Sequence, residues 1–405
     1  MKQTPKGFRL HIGLFGRRNV GKSSLLNALT RQSVSIVSAV AGTTTDPVEK
    51  PMELLPIGPV LFIDTAGIDD VGALGEQRVK KTKQIFDRTD VALLIAEQGI
   101  WDSFEQTILG ELQQRKIPTI VVFNKSDIKT PEEYVLRTLQ DQKIITVSTV
   151  AHRNEGIAPL RQALIRIVPD EFINAPPILG DLVPAGELVI FVVPIDMEAP
   201  KGRLILPQVQ SIRDILDNDA YCMVVKEREL SDALNRLNRP PALVVTDSQA
   251  FLKVAGDTPP DIPLTSFSII FARNKGNLRE YVQGALAIEN LKPGAKILVC
   301  ESCTHQPICE DIGRVKIPRW LRQYLGADLE CTTVQGHDFP DNLKDYQLLI
   351  HCGGCMTNRR EMLTRIMRCR QADVPITNYG LVIALTLGIL KRALSPFPRL
   401  VPLAT

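Results

Sequence analysis

Apolar residues along this chain come in short blocks separated by longer stretches of helical spacing. The first blocks lie at residues 10–15, 60–64, 91–96 and 119–124. Runs of that length and continuity, each followed by a polar motif, suit parallel strands buried on both faces. Strand and amphipathic helix alternate, which predicts an α/β fold with a doubly wound, mostly parallel sheet.

The same alternation returns on a smaller scale. Residues 188–194, 221–225 and 242–246 read as strands, with helices over 209–216 and 230–237. Residues 296–300, 348–352 and 375–378 read as strands of a last segment. Two proline-rich stretches without periodicity, 174–184 and 257–263, read as linkers. Three domains are therefore expected: a nucleotide-binding domain over 1–173, then smaller α/β domains over 185–256 and 264–405.

Composition narrows the class. With 44% apolar and 23% charged residues the 405-residue chain is ordinary for a globular protein. Its formal charge of +3 argues against a dedicated nucleic-acid or membrane binder. The N-terminal residues lack the apolar core of a signal peptide, and the run over 381–390 is too short to span a bilayer. A cytoplasmic location is expected. Cysteine usage is uneven: Cys222 stands apart, and seven others fall between Cys300 and Cys369. Such clustering suggests a metal or cluster site rather than a disulfide framework.

Residues 16–23, GRRNVGKS, fit G-x-x-x-x-G-K-[ST] between a strand and a helix. Gly16, Asn19, Val20, Gly21, Lys22, Ser23 and Ser24 are the expected phosphate-binding residues. Their backbone N–H groups wrap the phosphates at a helix N-terminus. Lys22 reaches the outer phosphates and Ser23 holds Mg²⁺. Asp64 and Gly67, in DTAG, belong to the metal shell and the γ-phosphate contact. Asn124, Lys125 and Asp127, in NKSD, read the base: the Asp127 carboxylate accepts from two guanine N–H groups that adenine lacks. Ser148 and Thr149 would contact the base oxygen. The expected activity is GTP hydrolysis. Ile68 stands where Ras-type enzymes carry a water-positioning Gln, which predicts slow turnover and a switching role.

The last segment holds Cys303-Thr-His305 and His351-Cys352-Gly-Gly-Cys355, each after an apolar strand. Loops at neighbouring strand ends can converge across such a gap. Cys303, Cys352 and Cys355 suit three irons of a [4Fe–4S] cluster. His305 and His351 are candidates for the fourth position or for hydrogen bonds around the ligands. A Cys₄ zinc site that recruits Cys300 is the competing reading. Arg359, Arg360, Arg365, Arg368 and Arg370 could form a solvated helix face, an anion funnel or an RNA-binding surface. The second function reading is therefore a ribosome- or RNA-associated GTPase with a zinc-stabilised C-terminal domain.

The nucleotide motifs resemble the TrmE-Era-EngA-like branch of GTPases. That resemblance implies Thr44, within residues 42–46, as a Mg²⁺ ligand, with Thr43 and Thr45 adjacent. It also implies Asn19 as a K⁺ ligand in K⁺-stimulated hydrolysis. Joined to C-x-H … H-C-x-x-C, the whole chain resembles the HydF family of [FeFe]-hydrogenase maturation GTPases. The family usually separates the two cysteine motifs by at least one residue more than this chain does. The resemblance implies a scaffold that receives a di-iron precursor from the radical-SAM maturases HydE and HydG. It then delivers that precursor to the apo-hydrogenase. It also implies a homodimer assembled through the middle domain, with a tetramer as the further assembly.

Overall fold

The computed structural model describes residues 4–30, 47–65, 75–97, 100–173, 176–195, 204–302 and 311–404. They form two compact units, Met1–Ala175 and Pro176–Thr405. The expected residues Thr44, Gly67, Cys303 and His305 lie outside the described residues.

In the first unit the chain runs β1 (Leu10–Phe15), α1 (Lys22–Thr30), β2 (Val48–Leu54), β3 (Gly58–Asp64), α2 (Gly75–Arg88), β4 (Val91–Glu97), α3 (Ser103–Gln114), β5 (Thr119–Asn124), α4 (Glu133–Asp141), β6 (Ile145–Thr149), α5 (Ile157–Ile167) and α6 (Asp170–Ile173). Among the described residues the sheet order is β2-β3-β1-β4-β5-β6, parallel except at β2. The expected doubly wound α/β fold is present. Burial follows the strand period: Val91, Leu93 and Ile95 enter one core, and Ala92, Leu94 and Ala96 enter another. With both faces covered, successive residues are all apolar, so the run is continuous. Two strands escaped the sequence reading. β2 carries the charged Glu49, Lys50 and Glu53 at the sheet edge, and β6 is short and rich in threonine and serine.

The second unit holds two four-stranded sheets among the described residues, all parallel. Its elements are β7 (Leu188–Val192), α7 (Leu206–Asp217), β8 (Tyr221–Val225), α8 (Leu230–Asn235), β9 (Leu243–Thr246), α9 (Phe251–Asp257), β10 (Leu264–Ser266), α10 (Phe267–Lys275), α11 (Leu278–Leu286), β11 (Lys296–Glu301), α12 (Ile317–Leu325), β12 (Glu330–Gln335), β13 (Leu348–His351), α13 (Arg359–Ala372), β14 (Ile376–Asn378), α14 (Tyr379–Thr386) and α15 (Leu390–Ala393). The sheet orders are β10-β9-β7-β8 and β12-β11-β13-β14.

The two expected linkers need correction. Residues 257–263 do not separate the two sheets: they lead from α9 to β10, whose Leu264 pairs with Val244 in the same sheet. A three-residue strand gives too little pattern to recognise. The first linker is fastened at its end, because the N–H groups of Ile178, Leu179 and Gly180 donate to the Asp214 carboxylate of α7 at 2.8–2.9 Å. The apolar run over 381–390 forms α14 and begins α15. Among the described residues no helix is long and apolar enough to cross a membrane.

Candidate functional site

The nucleotide motifs meet at the carboxyl ends of β1, β3, β5 and β6, where open parallel sheets bind their ligands. Between β1 and α1 the loop curls back on itself. Gly21 has φ +95°, and a Cβ there would strike the Asn124 side-chain amide. Lys22 is buried and donates to the Gly16 and Arg17 carbonyls at 2.8 Å. Its ammonium is thus already aimed into the loop.

Asn124 ties the base-side loop to the phosphate loop. Its Nδ2 donates to Val20 O at 2.9 Å, and its Oδ1 accepts from Thr149 Oγ1 and Ala151 N at 3.1 and 3.2 Å. Lys125 Nζ donates to Asn19 O at 3.0 Å and also pairs with Glu97. Asn19 and Lys125 both hold left-handed backbone, at φ 62° and 59°. Non-glycine residues keep that conformation at a cost, and such costs cluster at functional sites. The Asn19, Ser24, Asp127 and Ser148 residues are exposed, Ser23 is half-buried, and Val20 and Thr149 are buried.

Asp64 tests the site for a cation. It is 9% exposed, and its Oδ1 is buried with no hydrogen-bond partner among the described residues. Burial raises its pKa, while Lys22 and Lys50 oppose the rise. A buried carboxylate oxygen without a donor, beside the Ser23 loop, fits a divalent cation. Sequence reasoning did not find Arg17 as a tether. It donates to Glu105 at 2.8 Å, pairs with Asp102 at the α3 N-cap and lies over Phe104.

The cysteine motif sits at the ends of two adjacent strands of the second unit. Cys300 on β11 pairs in register with His351 on β13, and Cys352 N donates to Cys300 O at 2.9 Å. Ser302, next before Cys303, reaches Cys352: its N–H donates to Cys352 Sγ at 3.1 Å, with its hydroxyl 3.3 Å from the same sulfur. Burial and the neighbouring Cys355 raise the Cys352 pKa, and hydrogen bonds from Ser302 and the Gly354 backbone oppose this. N–H donors aimed at a sulfur are the surroundings a ligating thiolate needs, so this half of the site fits a thiolate-held metal group. Gly354 turns the loop at φ +64°. No cluster of three or more His, Cys, Asp or Glu groups suited to a metal occurs among the described residues.

His351 is fully buried. Its Nδ1 lies 2.8 Å from Cys352 O, and its Nε2 lies 2.8 Å from Arg365 Nη1. Burial and the Arg365 charge lower its pKa to about 3. Both ring nitrogens are engaged, so in this arrangement His351 holds the ligand loop and has no free lone pair for a metal. Cys300 is fully buried and burial pushes its thiol up, which suits a core side chain better than a zinc ligand.

The arginines of α13 are used internally, and sequence reasoning misjudged them. Arg365 is 3% exposed, pairs with Glu361 at 2.7 Å and donates to Gly336 O at 2.8 Å. Arg368 pairs with Asp341, Arg359 donates to Asn274 O, and Arg370 pairs with Glu280. His337 contacts the Glu361 carboxylate at 3.1 Å. Sequence reasoning also did not find Lys275, which donates to three carbonyls of the cysteine loop.

Residues 178–276 match the hydrogen maturase F dimerization domain, and residues 279–396 match the hydrogen maturase F tetramerization domain. The chain belongs to the hydrogen maturase F family. Residues 11–125 match the 50S ribosome-binding GTPase model. A GTPase Der of Wolinella succinogenes is 34% identical over 170 residues, covering 39% of this chain and 36% of its own. A tRNA modification GTPase MnmE of a Cyanothece species is 38% identical over 160 residues, covering 38% and 34%. The chain thus spans about a third of these curated relatives. Among solved structures, the G domain of the T. maritima FeoB iron transporter has a TM-score of 0.32 at 22% identity, covering 40% of this chain and 99% of that one. Era in complex with MgGDPNP and a 16S ribosomal RNA segment has 0.33 at 22%, covering 53% and 93%. This hydrogen maturase F chain carries a GTPase domain, over residues 11–125. It also carries the family's self-association domains.

Proposed function

We propose that the chain is a GTP-hydrolysing scaffold for [FeFe]-hydrogenase maturation. It holds a [4Fe–4S] cluster on Cys303, Cys352 and Cys355, receives a di-iron precursor from HydE and HydG, and delivers it to the apo-hydrogenase. The observation that carries this reading is the Ser302–Cys352 contact, which brings the end of β11, one residue before Cys303 in sequence, against Cys352. The cluster would offer one exchangeable iron position for docking the precursor. Arg365 keeps His351 from competing for that position.

At the nucleotide site each residue takes the role its motif assigns. Lys22 neutralises the outer phosphates. Ser23 and Asp64, with Thr44, hold Mg²⁺, and Gly67 brings a backbone N–H to the γ-phosphate. Asp127 accepts from guanine, while Asn124 keeps Asp127's loop against Val20. K⁺ would bind at the exposed Asn19; equal hydrolysis rates in Na⁺ and K⁺ would remove that role.

Self-association is proposed through β8. Among the described residues it is an edge of its sheet, with Tyr221 63% and Val224 43% exposed, and Val209 and Leu216 of α7 are exposed beside it. An apolar, unpaired edge strand invites pairing with another strand, and the dimerization match spans it.

The RNA reading has less support. Of the five arginines on α13 only Arg370 is exposed, and it pairs with Glu280. The test is transfer: chain loaded by HydE and HydG is mixed with apo-hydrogenase, and hydrogen evolution is measured. Activation is expected from wild type and not from Cys352→Ser. Equal activation by both would end the scaffold reading.

A further inference from the structure

Lys275 closes α10, and its side chain runs into the cysteine loop of the neighbouring sheet. It is 2% exposed. Its ammonium donates to Gly354 O at 2.7 Å, Thr357 O at 2.7 Å and Cys355 O at 3.3 Å. An ammonium has three donors, and here each finds a carbonyl. Burying a charge without such partners is costly, so the contact demands this loop shape. The three carbonyls converge on one point, which fixes the backbone on both sides of Cys355. Arg365 also reaches this loop, through His351.

We propose that Lys275 is a positioning residue for the metal-binding cysteine loop and the fixed positive charge that offsets its thiolates. The inference rests on the cluster reading above. It also links the two modules: Lys275 lies within residues 178–276, matched to dimerization, while the loop lies within residues 279–396. A shift of α10 on self-association would therefore act directly on the cysteines. A thiolate-held cluster gains negative charge on reduction, and a nearby ammonium favours that state. Removing the ammonium should lower the midpoint potential and loosen the loop, without unfolding β11 or β13.

The test compares wild type with Lys275→Met and Lys275→Arg. Amide hydrogen exchange is measured on the metal-free chains, and midpoint potential after anaerobic reconstitution with iron and sulfide. In Lys275→Met the amides of 352–358 should exchange roughly tenfold faster or more, from loss of charge-assisted hydrogen bonds. Those of β11 and β13 should hold, which excludes general unfolding. The potential should fall in Lys275→Met and return toward wild type in Lys275→Arg. If Lys275→Met does not fold, Lys275→Gln removes the charge with less loss of hydrogen bonding and is read the same way. Wild-type exchange and wild-type potential in the charge-free variants would overturn the proposal. If wild type takes up no cluster, the cluster reading fails, and loop exchange alone decides the positioning role.

Discussion

Arg365 Nη1 lies 2.8 Å from His351 Nε2. A guanidinium can only donate, so this ring nitrogen accepts and Nδ1–H donates to Cys352 O. The same arginine pairs with Glu361, and both side chains are buried. Arg365→Met should take from the buried Glu361 carboxylate its 2.7 Å guanidinium partner and cost about 3–5 kcal/mol. Chemical denaturation would measure the loss. Arg365→Met combined with Glu361→Leu should recover much of it, because neither charge is then stranded.

At the nucleotide site, affinity and stability should separate. The Asp127 carboxylate comes no nearer to Arg153 than 3.8 Å, so the fold owes it little. Asp127→Ala should weaken GTP binding about 100-fold, roughly 3 kcal/mol, with an unchanged melting temperature. Asn124→Ala should lower both, since Asn124 holds Val20, Thr149 and Ala151. Nucleotide titration with thermal melts of the same samples distinguishes the two.

The β8 edge makes a different kind of prediction. Placing a charge on it, by Val224→Glu, should prevent strand pairing between copies. Light scattering should then show a smaller species while GTP hydrolysis by the first unit is retained.

Glu49 sets a stability window in acid. Burial works against its charge, but the Lys6 hydrogen bond and the Arg88 charge prevail and hold its pKa at about 2, below the ordinary 4.5. A depressed carboxylate stabilises the fold above its unfolded pKa. That contribution is lost as pH falls from about 4.5 toward 2. The partly exposed group should contribute about 1 kcal/mol after solvent screening. Acid melts of Glu49→Gln against wild type would show it as a flatter profile for the variant.

The nucleotide half of the molecule was legible because its motifs are contiguous and each follows a continuously apolar strand. Strands β1, β5 and β8 fall where the pattern placed them. What escaped was what a linear pattern cannot carry. The polar edge strand β2 and the three-residue β10 offer too little apolar periodicity, and missing β10 misplaced a boundary. Lys275 and Arg365 look like surface charges in sequence, yet both are buried by contacts with residues far from them in the chain. A basic run on a helix says nothing about its carbonyl and carboxylate partners. The adjacency of β11 and β13, by contrast, followed from two apolar strands each ending in a cysteine motif.

The central claim is that the cysteine loops hold an iron–sulfur cluster. Its most direct test is anaerobic reconstitution with iron and sulfide, read by electron paramagnetic resonance after reduction, on wild type and Cys355→Ser. The account predicts a [4Fe–4S] signal in wild type that is lost or altered in the variant. A wild-type protein that stays colourless and binds a single zinc ion would contradict it.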